Sequence, residues 1–304
     1  MKRLRSFKAH LRPLLLFAGL TMLPGVAFAG GEGPEIWTAE FIAYAVLLLV
    51  TPALLFFKWS RRVRWIIMLG SLAYFGFLQS ACPSPMGAIE LALIHLRDET
   101  PILRHLLKIG LVLIPALLFG RYFCGWICPK GIIQDYLYRP NLVGKVPEKV
   151  DRALKYGKYG VLALLILLPL IWRVRFFRAV GPFKVIFNLD GTMSLLIFLG
   201  VVLVASIFVS RPFCRYLCPL GALLALIARI SPFKMRILYR CTACGLCMKA
   251  CPVDAIRKTP EGMRIEESEC IACKECEGSC RKNGCAFGGA ASSRSTDQKG
   301  ENPL

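Results

Sequence analysis

Five long apolar runs, separated by polar segments, dominate the first two thirds of the chain. They cover about Ile36–Phe57, Trp65–Cys82, Leu106–Phe123, Leu154–Trp172 and Met193–Phe213. A helix that crosses a bilayer needs roughly 20 predominantly apolar residues, and each run meets or approaches that length. The pattern therefore predicts an α-helical multi-pass membrane protein with about five spans.

Residues 1–29 have the three parts of a secretory signal: a basic start, an apolar core and small residues at the end. The core, from Leu14 to about Val26, is interrupted by Pro24 and is short for a span. We favour a signal that is cleaved after Ala29. An uncleaved first helix is the alternative.

The composition supports a membrane protein, since 56% of the residues are hydrophobic. The formal net charge of +20 would also suit a nucleic-acid partner, but Lys and Arg are concentrated in short loops between the apolar runs. Basic loops of a spanning protein face the cytoplasm. This places everything after Cys214 on the cytoplasmic side of a bacterial inner membrane, and it makes nucleic acid the weaker interpretation.

The composition changes after the transmembrane domain, which we assign to residues 30–239. Residues 240–285 contain no apolar run, and within two clusters a cysteine occurs at every third or fourth position. A segment this short cannot build a large core, so bound metal must supply much of its folding energy. We predict a small α+β domain here, followed by a disordered tail over residues 286–304.

Two groups of cysteines in this domain have the spacing Cys-x2-Cys-x2-Cys-x3-Cys. They are Cys241, Cys244, Cys247 and Cys251, and then Cys270, Cys273, Cys276 and Cys280. This spacing is typical of [4Fe–4S] ligands in bacterial ferredoxins, because three thiolates on a tight loop reach three irons and the fourth iron faces away. Zinc is the alternative, but it needs only two cysteine pairs for each ion. Cys285 fits neither group and is interpreted as an ordinary free thiol.

In two-cluster ferredoxins the fourth ligand comes from the other group. The resemblance to them implies two [4Fe–4S] clusters, one on Cys241, Cys244, Cys247 and Cys280 and the other on Cys270, Cys273, Cys276 and Cys251. The second group departs from the ferredoxin pattern, since Arg281 stands where proline follows the fourth cysteine.

A different cysteine motif occurs twice in the transmembrane domain. "FCGWICPKG" (Phe123–Gly131) and "FCRYLCPLG" (Phe213–Gly221) share both thiols, the proline and the final glycine, which indicates an internal repeat. The residue before a proline avoids the helical region, so Cys128 and Cys218 are predicted to lie at helix ends. The two ends would bring together four thiols: Cys124, Cys128, Cys214 and Cys218.

Two interpretations of these four thiols remain open. They hold a third redox centre, an iron–sulfur cluster or a transient metal ion, or they are buried structural residues, since cysteine is among the most buried side chains.

This combination of spans, paired Cys-x3-Cys-Pro motifs and a double ferredoxin domain resembles the membrane-bound polyferredoxins. These are related to the ferredoxin-type membrane component of nitrate reductase, the nitrous-oxide reductase regulator and the ferredoxin-type proteins of methylamine utilisation. The resemblance covers nearly the whole chain after the signal-like segment. It implies electron transfer between a quinone pool or cytoplasmic donor and a respiratory reductase system, with other redox proteins as partners. We assign no catalytic residue and expect an electron-transfer component rather than a stand-alone enzyme.

The competing function is a metal-reducing factor for the assembly or maturation of a respiratory enzyme. Soft thiolates favour Cu(I), so the four repeated cysteines fit this role too. A purely structural anchor is disfavoured, because it would not need eight cysteines at cluster spacing.

Overall fold

The computed structural model describes nine segments of the chain: residues 39–56, 61–78, 86–95, 103–139, 146–173, 181–188, 192–238, 240–260 and 262–288. The signal-like segment 1–29 and the predicted tail beyond Gly288 lie outside them. Residue contacts divide the chain into two units, Met1–Leu49 and Val50–Leu304. The second unit contains both the cysteine motifs of the helical region and the cysteine-rich domain.

The described chain up to residue 230 is helical. Its helices are α1 (Ala39–Leu54), α2 (Arg61–Ser71) with a π-helical continuation (Leu72–Leu78), α3 (Met86–His95), α4 (Leu103–Phe119), α5 (Tyr122–Trp126), α6 (Pro129–Leu137), α7 (Glu148–Trp172), α8 (Lys184–Asn188), α9 (Met193–Phe208), α10 (Pro212–Tyr216) and α11 (Pro219–Ile230).

Each of the five predicted apolar runs contains a helix or most of one. Within the described segments, one stretch is long and apolar enough to cross a membrane, the 24 residues Lys149–Trp172 of α7. The other apolar stretches have 10–17 residues. The five spans therefore remain a prediction.

Two of the runs end earlier than the hydrophobic pattern predicts. Helix α4 stops at Phe119 because Gly120 adopts a left-handed conformation (φ 65°), which favours glycine at a helix C-terminus. Helix α9 stops at Phe208, and Pro212 then starts a new helix. The ends of both runs, with the first cysteine of each motif, form the short helices α5 and α10.

The helical region buries a small aromatic and aliphatic cluster between α8, α9 and α10. It consists of Phe183, Val185, Phe187, Leu199, Val202 and Phe213. Burying a side chain of this size contributes about 1.5–3 kcal/mol. The outer faces of the helices are apolar as well, since Ile114, Ile171 and Ile197 are each more than half exposed.

The C-terminal domain is a small α+β unit with two similar halves. Its elements are β1 (Lys234–Ile237), α12 (Leu246–Ala250), β2 (Ile256–Thr259), β3 (Gly262–Ile265), α13 (Glu275–Ser279) and β4 (Cys285–Gly288). Strand β1 pairs antiparallel with β4, with Ile237 opposite Cys285, and β2 pairs antiparallel with β3. The domain thus includes residues 234–288 and extends beyond the predicted limits, 240 and 285, at both ends.

Candidate metal centres

The two cysteine motifs of the helical region adopt the same local structure. The amides of Cys128 and Cys218 donate to the carbonyls of Phe123 and Phe213 over 3.0 and 2.8 Å. Both cysteines are extended and precede the proline that opens the next helix, α6 or α11. The predicted repeat and the helix ends at Cys128 and Cys218 are confirmed. The Pro-x-Gly segments begin new helices, because proline suits the first helical position.

Cys214 of the second repeat is close enough to Cys124 of the first for their charges to interact. Cys214 is beside Cys218 and Cys124, and burial followed by the charge of Cys218 raises the pKa of Cys214 to about 12. Cys128 is buried at the turn that follows α5. A buried thiol of this kind loses its proton when it binds a metal, because the metal supplies the compensating positive charge.

Arg121 and Arg211 occupy equivalent positions in the repeats, and each reaches into the other repeat. Arg211 Nη1 donates to the Cys124 carbonyl over 2.6 Å, and a Cβ atom on Gly131 would lie 3.0 Å from this nitrogen. A Cβ atom on Gly221 would lie 3.2 Å from Arg121 Nη2. Each glycine thus leaves room for the arginine of the opposite repeat. The two guanidinium groups are 3% and 1% exposed and carry positive charge beside the thiols.

Asp135, on α6, lies in the centre of a buried ionic network. Arg211 Nε and Nη2 donate to its two carboxylate oxygens over 2.6 and 2.5 Å, and Arg64 Nη2 donates over 3.1 Å. Arg64 also donates to Glu275 over 2.9 Å and to the Gly125 carbonyl over 3.0 Å. Burial alone would raise the pKa of Asp135, but Arg211 and then Arg64 more than offset it and lower this pKa.

We expect Asp135→Asn to lower the free energy of unfolding by about 3–5 kcal/mol, because it leaves two buried arginines without their carboxylate. Thermal unfolding in detergent at several pH values measures this. The pKa of Asp135 is lower in the folded state, so its contribution is present above the unfolded pKa and is lost as the pH falls through the folded pKa. The difference from wild type therefore shrinks below about pH 4.

The matched control is Glu267→Gln. Glu267 forms an ion pair with Lys234, and its side chain is 41% exposed. This change should cost less than about 1 kcal/mol. Equal destabilisation by the two variants would contradict the role given to the network.

A loop of the C-terminal domain, residues 268–274, packs directly on α5. Trp126 Nε1 donates to the Ala272 carbonyl over 2.9 Å. A Cβ atom on Gly125 would lie 2.1 Å from the Ile271 carbonyl oxygen, so only glycine permits this approach. The segment between the two cysteines of the first repeat is therefore in contact with the loop that carries Cys270 and Cys273.

Buried ion pairs hold the same two regions together. Glu269 accepts from Arg121 over 3.2 Å and from Lys158 over 2.5 Å. Burial alone would raise the pKa of Glu269, but Arg121 and Lys158 lower it overall. On the second repeat, Arg215 pairs with Asp254 over 3.2 Å. If the domain moved away, each of these charged side chains would lose its partner. The ion pairs therefore favour one fixed orientation of the C-terminal domain on the helices.

Four cysteines of the C-terminal domain line one cavity: Cys251, Cys270, Cys273 and Cys276. Its other walls are mainly apolar, with Met235, Ile256 and Ile265. Burial raises the pKa of Cys251 to about 11 and that of Cys270 to about 12. In the described segments no three Cys, His, Asp or Glu side chains converge on a single ion. Thiols around a cavity fit a four-iron cubane, in which irons and sulfides separate the ligands.

We call the four cysteines that line this cavity the second set, and the remaining ligand candidates, Cys241, Cys244, Cys247 and Cys280, the first set. One cysteine of each set accepts a hydrogen bond from the backbone amide four residues later. The Gly284 amide donates to Cys280 Sγ over 3.1 Å, as the Ala255 amide does to Cys251 Sγ over 3.3 Å. Gly284 also packs on Cys241, where an added Cβ atom would lie 3.0 Å from Cα. The loop of Cys280 thus lies against Cys241, while Cys251 joins the second set. This arrangement fits the exchange of fourth ligands that the ferredoxin resemblance implies.

Cys285 differs from the ordinary thiol that the sequence predicts. It is 2% exposed and packs in a core with Cys247, Cys276 and Ile256. Hydrogen bonds from Cys276 first, and also from Cys247 and Cys280, lower its pKa to about 7 although burial opposes this. Cys285 opens β4 as Ile256 opens β2, so the sequence does contain a signal: a cysteine at the core position of the second half.

Two stretches of the helical region, residues 105–149 and 191–237, match the 4Fe-4S binding domain Fer4_5. Residues 237–257 match a second 4Fe-4S binding domain, Fer4. The first two matches each contain one Cys-x3-Cys-Pro motif. Together with the fold, they define a ferredoxin-type protein whose helical region and C-terminal domain both contain 4Fe-4S domains.

Several known proteins resemble the chain. MJ0750 of Methanocaldococcus jannaschii is 34% identical over 73% of this chain and 93% of its own. YccM of Escherichia coli K12, whose name proposes a role in electron transport, is 32% identical over 58% of this chain and 52% of its own. The ferredoxin-type protein NapH of Haemophilus influenzae is 28% identical over 62% of this chain and 68% of its own. No solved structure matches the chain.

The chain therefore belongs to the Fer4_5 polyferredoxin family, and the predicted resemblance to this family is confirmed.

Proposed function

We propose that the chain is a membrane-anchored protein that relays single electrons through [4Fe–4S] clusters. The first cluster is held by Cys241, Cys244, Cys247 and Cys280, the second by Cys270, Cys273, Cys276 and Cys251, and a third by Cys124, Cys128, Cys214 and Cys218. The contact of the 268–274 loop with α5 carries this proposal, because it joins the second set to the third. Each cluster, when bound, supplies reversible one-electron chemistry.

Two buried arginines lie between the second and third sets. Arg211 faces both Cys214 and Cys273. Arg121 donates to the Ser268 carbonyl over 2.6 Å and to Glu269 over 3.2 Å, next to Cys270, and it also lies beside Gly221 of the second repeat. Positive charge in buried surroundings stabilises an anion strongly, and a cluster with four thiolates is anionic. Each of the two arginines already has a carboxylate partner, Asp135 for Arg211 and Glu269 for Arg121. The support for a cluster in the third set, over four neutral structural thiols, is therefore the 4Fe-4S domain match on each repeat.

The apolar outer faces of the helices support the membrane anchor. Exposed apolar side chains are numerous on α4, α7 and α9, and continuous patches of this kind mark contact with a membrane or partner. We propose five spans, formed by α1, by α2 with its π-helical continuation, and by α4, α7 and α9. The basic loops after the first and third proposed spans support a cytoplasmic C-terminal domain at a bacterial inner membrane.

In this position the protein connects a quinone pool or cytoplasmic donor with other redox proteins of a respiratory reductase system. The acid–base chemistry of side chains is not required for such a relay. The fixed contact between domains keeps the clusters near their membrane partners.

The test is electron transfer across the protein in liposomes. Protein purified without oxygen is reconstituted with a membrane quinone, a reduced dye is added outside, and quinone reduction is followed optically. We expect Cys273→Ala to abolish the protein-dependent rate, since it removes a ligand of the cluster nearest α5.

Cys285→Val is the matched control, because it removes a buried thiol that is not assigned as a ligand and fills a position equivalent to Ile256. It should retain the rate. No quinone reduction by the wild-type protein with full iron content would refute the relay. In that case, the alternative role can be tested by removing the protein either during or after the assembly of a respiratory enzyme. If the enzyme is inactive only when the protein was absent during assembly, the protein is a maturation factor.

A further inference from the structure

The carboxylates of the C-terminal domain are engaged in ion pairs. Among the described residues of this domain they are Asp254, Glu266, Glu267, Glu269, Glu275 and Glu277. Four of them pair with cations of the helical region, which are Arg215, Lys155, Lys158 and Arg64. The negative charges of the domain are therefore neutralised largely where it meets the helices.

Basic side chains, in contrast, lie next to the first set of cysteines in the sequence. Four exposed basic residues flank these cysteines along the chain: Arg240, Lys249, Arg281 and Lys282. The Leu238 amide donates to the Gly284 carbonyl over 2.9 Å, which holds the segment before Cys241 against the loop after Cys280. Helix α12, with Lys249, packs on α13, which ends at Ser279 immediately before Cys280. These contacts bring together the segments that carry the four basic residues, and we name these four residues the basic tip.

The basic tip also exposes the groups that a redox contact needs. Cys244, a proposed ligand of the first cluster, is exposed, and Leu246 beside it is 40% exposed. The sequence contains no Asp or Glu from residue 240 to residue 253. The second set, in contrast, faces α5. Among the proposed ligands, Cys244 of the first set is the exposed one, so a soluble protein can approach this set more closely than the second.

We propose that the basic tip is the docking surface for an acidic one-electron carrier protein. This rests on the proposed cluster in the first set. One electron leaves the carrier's reduced cofactor and one [4Fe–4S] cluster takes it up, with no atom transferred. Complementary charge raises the rate of encounter in such small, transient interfaces.

An anionic lipid surface is also attractive to basic residues. The tip, however, surrounds the first set, whereas the contacts with the helical region involve the second set. A protein carrier therefore fits the observations better.

The experiment measures binding of oxidised flavodoxin, a small acidic flavin protein, to the full-length protein in neutral detergent. The dissociation constant is determined by calorimetry at about 20 and about 300 mM salt. The tip variant is Lys249→Glu with Lys282→Glu. The control is Lys258→Glu with Arg264→Glu, two exposed positions on the β2–β3 hairpin with the same change of charge. We expect about tenfold weaker binding for the tip variant, unchanged binding for the control, and weaker wild-type binding at high salt.

Equal weakening by both variants, or wild-type binding that does not change with salt, would overturn the proposal. So would the absence of flavodoxin binding combined with tip-dependent binding to vesicles of anionic phospholipid, since the tip would then contact lipid. The quinone assay keeps the two proposals separable: tip variants should retain dye-driven quinone reduction, whereas failure of the relay itself would appear in the wild-type protein.

Discussion

Replacing both Cys124 and Cys214 by alanine is expected to lower the iron content of the anaerobically purified protein from about twelve atoms to about eight. Acid-labile sulfide should fall in the same proportion. The reason is that the two substitutions remove half of the thiols that the repeats bring together, one from each repeat. A signal in the EPR spectrum of the dithionite-reduced protein should disappear, and the signals of the other two clusters should remain.

The control for this result is Cys285→Val, which removes a buried thiol outside the three proposed sets and should keep about twelve iron atoms. About eight iron atoms in the wild-type protein would mean that clusters occupy only the C-terminal domain. The Cys-x3-Cys-Pro repeat would then be structural or would handle a metal transiently.

Gly125→Ala is the second change with a large expected effect. Its added methyl group would lie 2.1 Å from the Ile271 carbonyl oxygen, which is backbone and cannot rotate away. The 268–274 loop must therefore move off α5. We expect the clusters of the C-terminal domain to remain, and quinone reduction in the liposome assay to fall by about tenfold or more, because small misplacements of reacting centres are costly.

The matched control is Gly160→Ala in α7, where an added methyl group meets no atom within 4 Å. Alanine also has the higher helix propensity, so this variant should be as active as wild type. Unchanged quinone reduction in Gly125→Ala, with normal iron content, would refute the role of this contact in electron transfer.

The cysteine chemistry could be predicted from the sequence because it depends on local spacing. A Cys-x2-Cys-x2-Cys loop specifies its own geometry, and a proline after Cys128 or Cys218 sets where a helix ends. The helices within the five apolar runs were predictable for the same reason, whereas the five spans stay a prediction.

The contacts between the domains could not be predicted in this way. Arg64 is separated from Glu275 by 211 positions, and Trp126 from Ala272 by 146. Hydrophobic periodicity and motif spacing report on neighbours along the chain and do not predict such distant pairs. In the sequence, a buried arginine cannot be distinguished from an exposed one in a loop. Arg64, for example, belongs to the basic segment from which we inferred a cytoplasmic loop. The limits of the C-terminal domain could not be predicted either. They depend on the pairing of β1 with β4, which lie at opposite ends of the domain sequence.

The ion pairs that join the C-terminal domain to the helices determine how the domain can work. Glu269, Glu275 and Asp254 are each held by cations of the helical region. A domain fixed in this way does not need to swing between donor and acceptor, as tethered carrier domains do. We therefore expect solvent viscosity to slow the arrival of soluble partners but to leave the passage of electrons inside the molecule unaffected.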